Sequence, residues 1–192
     1  MRKDFGKTNW LVPQPVLIVT SYDENNTPNA MNAAWGGIYD EYKIMICLAT
    51  DHKTTSNIKL KNEFALCFPT SKYVVEADYF GIVSGNEIKN KFDKVDLTVS
   101  KASLVDAPII NEFPLALECK CISIEEVDEG TTIVIAEVVN TSVDKSILGY
   151  DEKVDEDKLD FICYDPINHK YKKIGKEIAD RKKTQRIFLN IA

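Results

Sequence analysis

Two short stretches of this 192-residue chain carry side chains suited to binding and orienting a ligand. The first is Thr27-Pro28-Asn29-Ala30-Met31-Asn32-Ala33-Ala34-Trp35. Small residues let a flat molecule approach the backbone. Asn29 and Asn32 each offer a donor pair and an acceptor, while Met31 and Trp35 add polarizable contact area. That chemistry suits an aromatic heterocycle with polar edges, although an irregular strand of ordinary core residues would look similar. The second stretch, Thr50-Asp51-His52-Lys53-Thr54-Thr55-Ser56-Asn57, joins a strand end to a helix start. Helix N-termini present free N–H groups and a positive dipole end, which favour phosphate. Lys53 adds charge, His52 can donate, and Thr54 and Thr55 add hydroxyls. The competing reading is that Thr54 or Thr55 simply caps the helix. Neither Gly-x-x-x-x-Gly-Lys-Ser/Thr nor Gly-x-Gly-x-x-Gly occurs, which weighs against a P-loop nucleotidase or a Rossmann dehydrogenase.

The elements that must position these residues are mostly strands. Apolar or alternating runs at 15–22, 43–50, 64–68, 115–127 and 131–143 predict strands, and the turn Asp23-Glu24-Asn25-Asn26 ends the first. Asp128-Glu129-Gly130 between the last two predicts a hairpin. Long strands joined by short turns point to a barrel rather than βαβ units. Two helices are expected, over 54–62 and over 72–83 with Gly85 as a stop. The acidic run 144–160 reads as a solvated loop.

Further candidates lie downstream. Asp78 to Gly85, followed by Asn90-Lys91-Phe92-Asp93-Lys94, forms a small, aromatic and basic cluster. Tyr164 to Tyr171 gives a turn and then His169 between aromatics, a residue either structural or ligand-facing. The basic tail from Lys176 to Arg186 reads as a solvated face or a subunit contact.

Composition bounds the partners. The net charge of −6 weighs against nucleic acid as the main partner, yet leaves room for an anion in a local basic pocket. No apolar window is long enough to span a bilayer, and the first residues lack the apolar core of a signal peptide, so a cytoplasmic location is expected. The five cysteines, Cys47, Cys67, Cys119, Cys121 and Cys163, do not form a disulfide pattern. Cys119 and Cys121 would share one strand face and could begin a metal site, but no Cys-x-x-Cys or His cluster completes it. Small, buried apolar roles are expected for the five, and no metal.

In this order and spacing the segments resemble the flavin reductase-like family with the FMN-binding split-barrel fold, nearest its flavoredoxin branch. The resemblance rests on Pro15 to Thr20, Pro28 to Trp35, His52-Lys53-Thr54 with Asn57-Ile58, and Asp78 to Gly85 with Lys91-Phe92. Ala107-Pro108, Leu117-Glu118-Cys119, and His169-Lys170-Tyr171 with Gly175 continue it. It implies a mainly β Greek-key split β-barrel with a few helices, one domain over 1–192, a homodimer, and one FMN per subunit near the dimer interface. Carried over, Asn29, Ala30, Met31, Asn32, Ala33, Ala34 and Trp35 would line the isoalloxazine and ribityl chain. Thr50, His52, Lys53, Thr54 and Asn57 would hold the ribityl and phosphate. Lys91 and Phe92 would approach from another loop, and His169 and Tyr171 from late in the chain.

Two departures stand out. Asp40-Glu41-Tyr42-Lys43 occupies the place of a common Pro-Pro pair, and His52-Lys53 stands where many members carry Arg. Lys is a point charge rather than a fork, so phosphate geometry differs while the charge is kept. The expected activity is that of an FMN-dependent oxidoreductase. It would pass electrons from NADH or NADPH through FMN to a flavin, metal or protein acceptor, with no side chain required as general acid or base. The alternatives are an FMN-binding electron carrier without its own turnover, and a non-flavin interaction barrel.

Overall fold

The computed structural model describes residues 1–179. Its first strands are β1 (Gln14–Pro15), β2 (Leu17–Tyr22), β3 (Pro28–Ala33), β4 (Trp35–Asp40), β5 (Lys43–Ala49) and β6 (Glu63–Phe68). They continue with β7 (Val99–Lys101), β8 (Pro108–Ile110), β9 (Leu115–Asp128), β10 (Thr131–Val143), β11 (Ile162–Asp165) and β12 (Lys170–Lys173). The two helices are α1 (Lys53–Lys61) and α2 (Val74–Ile82).

Seven strands form one sheet in the order β3-β2-β6-β9-β10-β5-β4, with every neighbouring pair antiparallel. The two edge strands, β3 and β4, are consecutive in the chain and separated by Ala34 alone. A flat sheet cannot bring opposite edges within one residue of each other. The sheet must therefore curl into a split barrel, the class expected from the sequence, and Ala34 sits at the seam.

Strand period fixes what fills the barrel. On β2, Leu17 and Val19 point inward while Ile18 points to an outer core, and both sets are nearly inaccessible. On β6, Phe64 and Leu66 join the inner cluster, and Cys67 joins the outer one. Ile44, Ile46 and Leu48 of β5 complete the inner wall. The outer core packs Ala77 and Phe80 of α2 against Ala30 of β3. Their i, i+3 spacing puts both residues on one helix face. Thr20, buried between the layers, donates to the Pro108 carbonyl at 2.5 Å, so its hydroxyl is satisfied.

Turn chemistry agrees with the pattern. Asp23 Oδ1 accepts from the N–H groups of Asn25 and Thr27, both at 2.8 Å, and closes the β2–β3 hairpin. Gly130 takes φ +107° in the β9–β10 turn, a conformation that favours glycine. Three register shifts along β9–β10 let this long hairpin bend with the barrel.

Some expectations need adjustment. α2 ends at Val83, which turns extended (φ −93°, ψ 129°), so Gly85 is not the stop. Gly85 is required for space instead: a Cβ there would lie 2.5 Å from Asn29 Oδ1. The 144–160 run contains two short 3-10 turns and anchors itself through buried Ile147. β4, β7, β8, β11 and β12 lie outside the predicted runs, and β3 falls in the stretch left open as an irregular strand, because short length and Asn, Gly or Lys obscure their alternation. Cys67 and Cys119 are buried and the other three cysteines half-buried, as small core residues would be. In the basic tail, residues 180–186 lie outside the described residues. No helix among the described residues is long and apolar enough to cross a membrane.

Candidate functional site

A trough runs along β3, walled by α1, the end of α2, and the β11–β12 pair. Its first part is a 110 Å³ cavity lined by Met31, His52, Lys53, Thr54, the segment from Phe80 to Gly85, and Lys91. α1 begins there with His52 as its N-cap and no side chain capping it. Both threonines read from the sequence as candidate caps have other partners. Thr54 Oγ1 accepts from Asn29 Nδ2 at 2.7 Å, and Thr55 Oγ1 donates to the Ala49 carbonyl at 2.7 Å. The first turn also lacks an acidic residue. The N–H groups at the helix start are thus left for an outside acceptor.

Lys91 supplies the charge. Its side chain is 3% exposed, and Nζ donates to the carbonyls of Ala30 at 2.9 Å and Phe80 at 3.3 Å. No carboxylate pairs with it among the described residues. Burial pulls its pKa down to about 8. Lys53 behaves differently, because its ammonium lies 3.1 Å from Glu24 and 3.9 Å from Asp23. The uncompensated cation of this cavity is therefore Lys91, and a buried cation without an anion is costly until one arrives. Beside it, His52 Nδ1 lies 3.1 Å from Met31 Sδ, which fixes the imidazole at the mouth.

The trough continues past Gly81 and Ile82 into a 270 Å³ cavity. Here Asn32, Ala33 and Ala34 face Gln14, Pro15, Asp78, Tyr164 and Tyr171. Asn32 Nδ2 donates to the Ala77 carbonyl at 3.1 Å and to Tyr171 Oη at 3.2 Å. The Tyr171 hydroxyl in turn donates to Asp78 Oδ1 at 2.8 Å. Burial, and then the Asp78 carboxylate, raise the Tyr171 pKa well above the usual phenol value, so it stays a protonated donor. Small residues bound the space: a Cβ on Gly81 would lie 3.2 Å from Asn32 Cβ. Together these parts form a slot with polar edges at one end and an anion-attracting corner at the other.

The structure does not bring every expected residue into the trough. Ala30 contributes its carbonyl to Lys91, and buried Asn29 braces Thr54 from beneath. Thr50 pairs its hydroxyl with Thr132 at 2.9 Å, on the β10 side. Asn57 is 1% exposed and donates to Ser21 Oγ at 3.2 Å under α1, where it holds the helix down. Phe92 packs its ring on Phe80 at 5.2 Å in the outer core. His169 is exposed at φ 52° and reaches the trough only through Tyr164 Oη, 2.9 Å from its Nδ1. Trp35 is 55% exposed and faces a third cavity beyond Ala34. Sequence reasoning names the stretches holding Asp78, Ser84, Gly85 and Tyr164 as candidate clusters without giving these four a ligand role, and it misses Gln14 as a lining residue. The small residues after α2 were the available signal for Ser84 and Gly85.

Comparison with known proteins places this geometry in a family. The model of the flavin reductase like domain matches residues 10–156. The flavoredoxin of Desulfovibrio vulgaris (Miyazaki F) superposes with a TM-score of 0.86 at 33% identity, covering 94% of this chain and 97% of that one. A flavoredoxin from Methanosarcina acetivorans superposes at 0.85 with 24% identity, over 97% of this chain and 99% of that one. An uncharacterized protein of Archaeoglobus fulgidus is 29% identical over 136 residues, 69% of this chain and 74% of that protein. The curled seven-stranded sheet, the seam at Ala34 and the extent of these matches lead to one assignment: the chain belongs to the flavin reductase-like family.

Proposed function

We propose that this chain is an FMN-binding oxidoreductase that passes electrons from NADH or NADPH through FMN to an acceptor. The observation that carries this reading is the trough itself: buried, unpaired Lys91 and the uncapped start of α1 at one end, and the slot of Asn32, Ala33 and Ala34 at the other. Both ends match the chemistry of FMN, an anionic phosphate joined to a flat heterocycle with polar edges. When bound, FMN supplies the electron transfer; the protein supplies binding, orientation and exclusion of side reactions. Lys91, with the N–H groups of Lys53 and Thr54, holds the phosphate. Asn32 and Tyr171 fix the polar edge of the slot, and Gly81 and Gly85 keep the floor clear. A cytoplasmic setting fits the five free thiols.

A homodimer is part of the proposal. Edge strand β4 and the turn after it expose Ile38, Tyr39 and Tyr42, and an apolar edge of this kind is normally covered. A second reading, an electron carrier without nicotinamide turnover, is favoured by one observation. Among the described residues, neither the ring end of the trough nor the cavity beyond it is lined by Lys or Arg to meet a dinucleotide pyrophosphate. The test begins with FMN added to the purified protein and the excess removed. Flavin absorbance that stays with the protein supports the cofactor. Oxidation of NADH or NADPH by that sample, faster than by free FMN, supports the reductase, and a rate no greater than free FMN supports the carrier.

A further inference from the structure

Beyond the trough lies a 750 Å³ cavity between the N-terminal segment and β4. It shares Gln14, Pro15 and Ala34 with the ring end of the trough, so the two spaces are adjacent. Its size falls within the roughly 300–1,000 Å³ typical of small-molecule sites. Trp10 and Trp35 line it, and they are the chain's two tryptophans. Leu11, Ile38, Met45 and Cys47 provide further apolar or soft contact. Phe5 braces Trp10 with ring centroids 5.1 Å apart. Among the described residues, no lining side chain carries a charge.

Those features select an occupant by its chemistry. Two indole faces reward a planar aromatic ring. The described lining offers a phosphate or sulfonate no cation to pair with. That disfavours free flavin nucleotides and dinucleotides as occupants, whereas the adjoining trough has Lys91 for an anion.

We propose that this cavity binds a neutral planar aromatic molecule of the quinone class, which serves as the electron acceptor. The proposal rests on the FMN reading given above. Reduction of a quinone to its hydroquinone takes two electrons and two protons. Bound FMN in its reduced form would supply both electrons and both protons, and a hydride from NADH or NADPH together with one proton from solvent would restore it.

The two tryptophans report occupancy directly. FMN-loaded protein, freed of excess cofactor, is titrated with 1,4-naphthoquinone and separately with its 2-sulfonate, while intrinsic fluorescence is followed. Free N-acetyltryptophanamide corrects for absorption and collisional quenching. The expected result is saturable quenching by the neutral quinone, with affinity at least about tenfold above that of the sulfonate. Trp10→Leu should weaken quinone binding several-fold while FMN retention is unchanged. The comparison of the two probes on the unaltered protein stands even if this variant fails to fold. Non-saturable quenching, or equal affinity for both probes, overturns the proposal. So does shielding of both tryptophans from both probes in a dimer, which would make a second copy the occupant. Failure to retain FMN removes the underlying reading and this proposal with it, whereas retained FMN without saturable quenching sinks this proposal alone.

Discussion

Lys91→Met is the most discriminating substitution at this site, because it keeps the length of the side chain and deletes only its charge. Lys91 is 3% exposed and its pKa falls from 10.5 to about 8 through burial. That shift corresponds to roughly 3 kcal/mol of disfavour for the charged form. In the FMN-free protein the unfolded chain keeps this proton up to about pH 10.5 and the folded chain only to about 8. The unfolded state therefore binds more protons across that window, and stability rises with pH from 8 to 10.5. At pH 7 the folded FMN-free protein carries the full burden of the buried charge. Removing it offsets the loss of two hydrogen bonds to the Ala30 and Phe80 carbonyls. The FMN-free variant should thus melt no lower than the parent at pH 7.

FMN affinity should move the other way. A charge-assisted hydrogen bond to phosphate contributes about 1.5–3 kcal/mol, so the variant should bind FMN roughly 10- to 150-fold more weakly. Riboflavin, which has the same ring and ribityl chain without the phosphate, serves as the control and should bind parent and variant alike. In the parent, FMN affinity should decline as pH rises past 8, and in Lys91→Met that decline should vanish. Equilibrium titration of flavin fluorescence with both ligands reads all of this. Equal losses for FMN and riboflavin, or no loss for either, would refute the assignment of Lys91 to the phosphate.

Three further outcomes follow from the same geometry. Gly85→Ala places a Cβ 2.5 Å from Asn29 Oδ1 and 3.1 Å from Lys53 Cβ, so the Asn29–Thr54 bond must give way. The cost of about 1–3 kcal/mol should lower the melting temperature by roughly 2–12 °C in a scanning calorimeter, with FMN affinity falling too. Tyr171→Phe keeps the ring beside Tyr164 but strips Asp78 and Asn32 of their shared partner; a destabilisation of about 1–3 kcal/mol in urea unfolding is expected, and an unchanged midpoint would show the network to be idle. Burial pushes the Cys67 thiol up to about 11 and the Cys121 thiol to about 12, so neither should be alkylated by iodoacetamide at pH 8 until the protein is unfolded, as read by peptide mass.

The strands that fill the barrel were legible because their residues alternate cleanly. Leu17, Val19, Ile44, Ile46, Phe64 and Leu66 each sit where period two puts them. β4 was not legible, since it is exposed along nearly its whole length and its two glycines carry no pattern. Gly36 shows why: a Cβ there would lie 2.8 Å from Leu17 Cδ1 and 2.9 Å from Ile46 Cγ2, a closeness set by strands distant in sequence. The anion corner was half legible. A strand end followed by a helix start announced free N–H groups, and Lys53 looked like the charge. Its ammonium is instead drawn to Glu24, 29 positions away, while Lys91 folds in from the 3-10 turn Lys91–Lys94. Asn57 reads as a ligand by type, yet the helical spacing from Thr54 turns both toward β2 and β3, and only Thr54 also reaches the cavity.

The position of the trough follows from how the barrel closes. β3 and β4 are the two edges of one sheet joined at a single residue, so at Ala34 the chain leaves one edge and starts the other without a ladder between them. An unpaired edge must be covered or put to use. Along β3 the cover is α2, whose Ala77 carbonyl takes a hydrogen bond from Asn32. Beyond Ile82 the helix ends, and the edge is left facing Gly81, Ser84 and Gly85, residues too small to fill the space. The anion corner of the trough therefore lies past the end of α2, while the ring end runs beside Asp78, Gly81 and Ile82 of that helix. Its contents are dictated in the same way. The helix that starts nearest, α1, presents its N-terminus, and a buried cation in reach, Lys91, is held by a carbonyl of β3 itself. Lengthening α2 over Val83 to Gly85, for instance with Gly85→Ala and Ser84→Ala together, should close the corner and abolish phosphate-dependent binding before it touches the affinity for riboflavin.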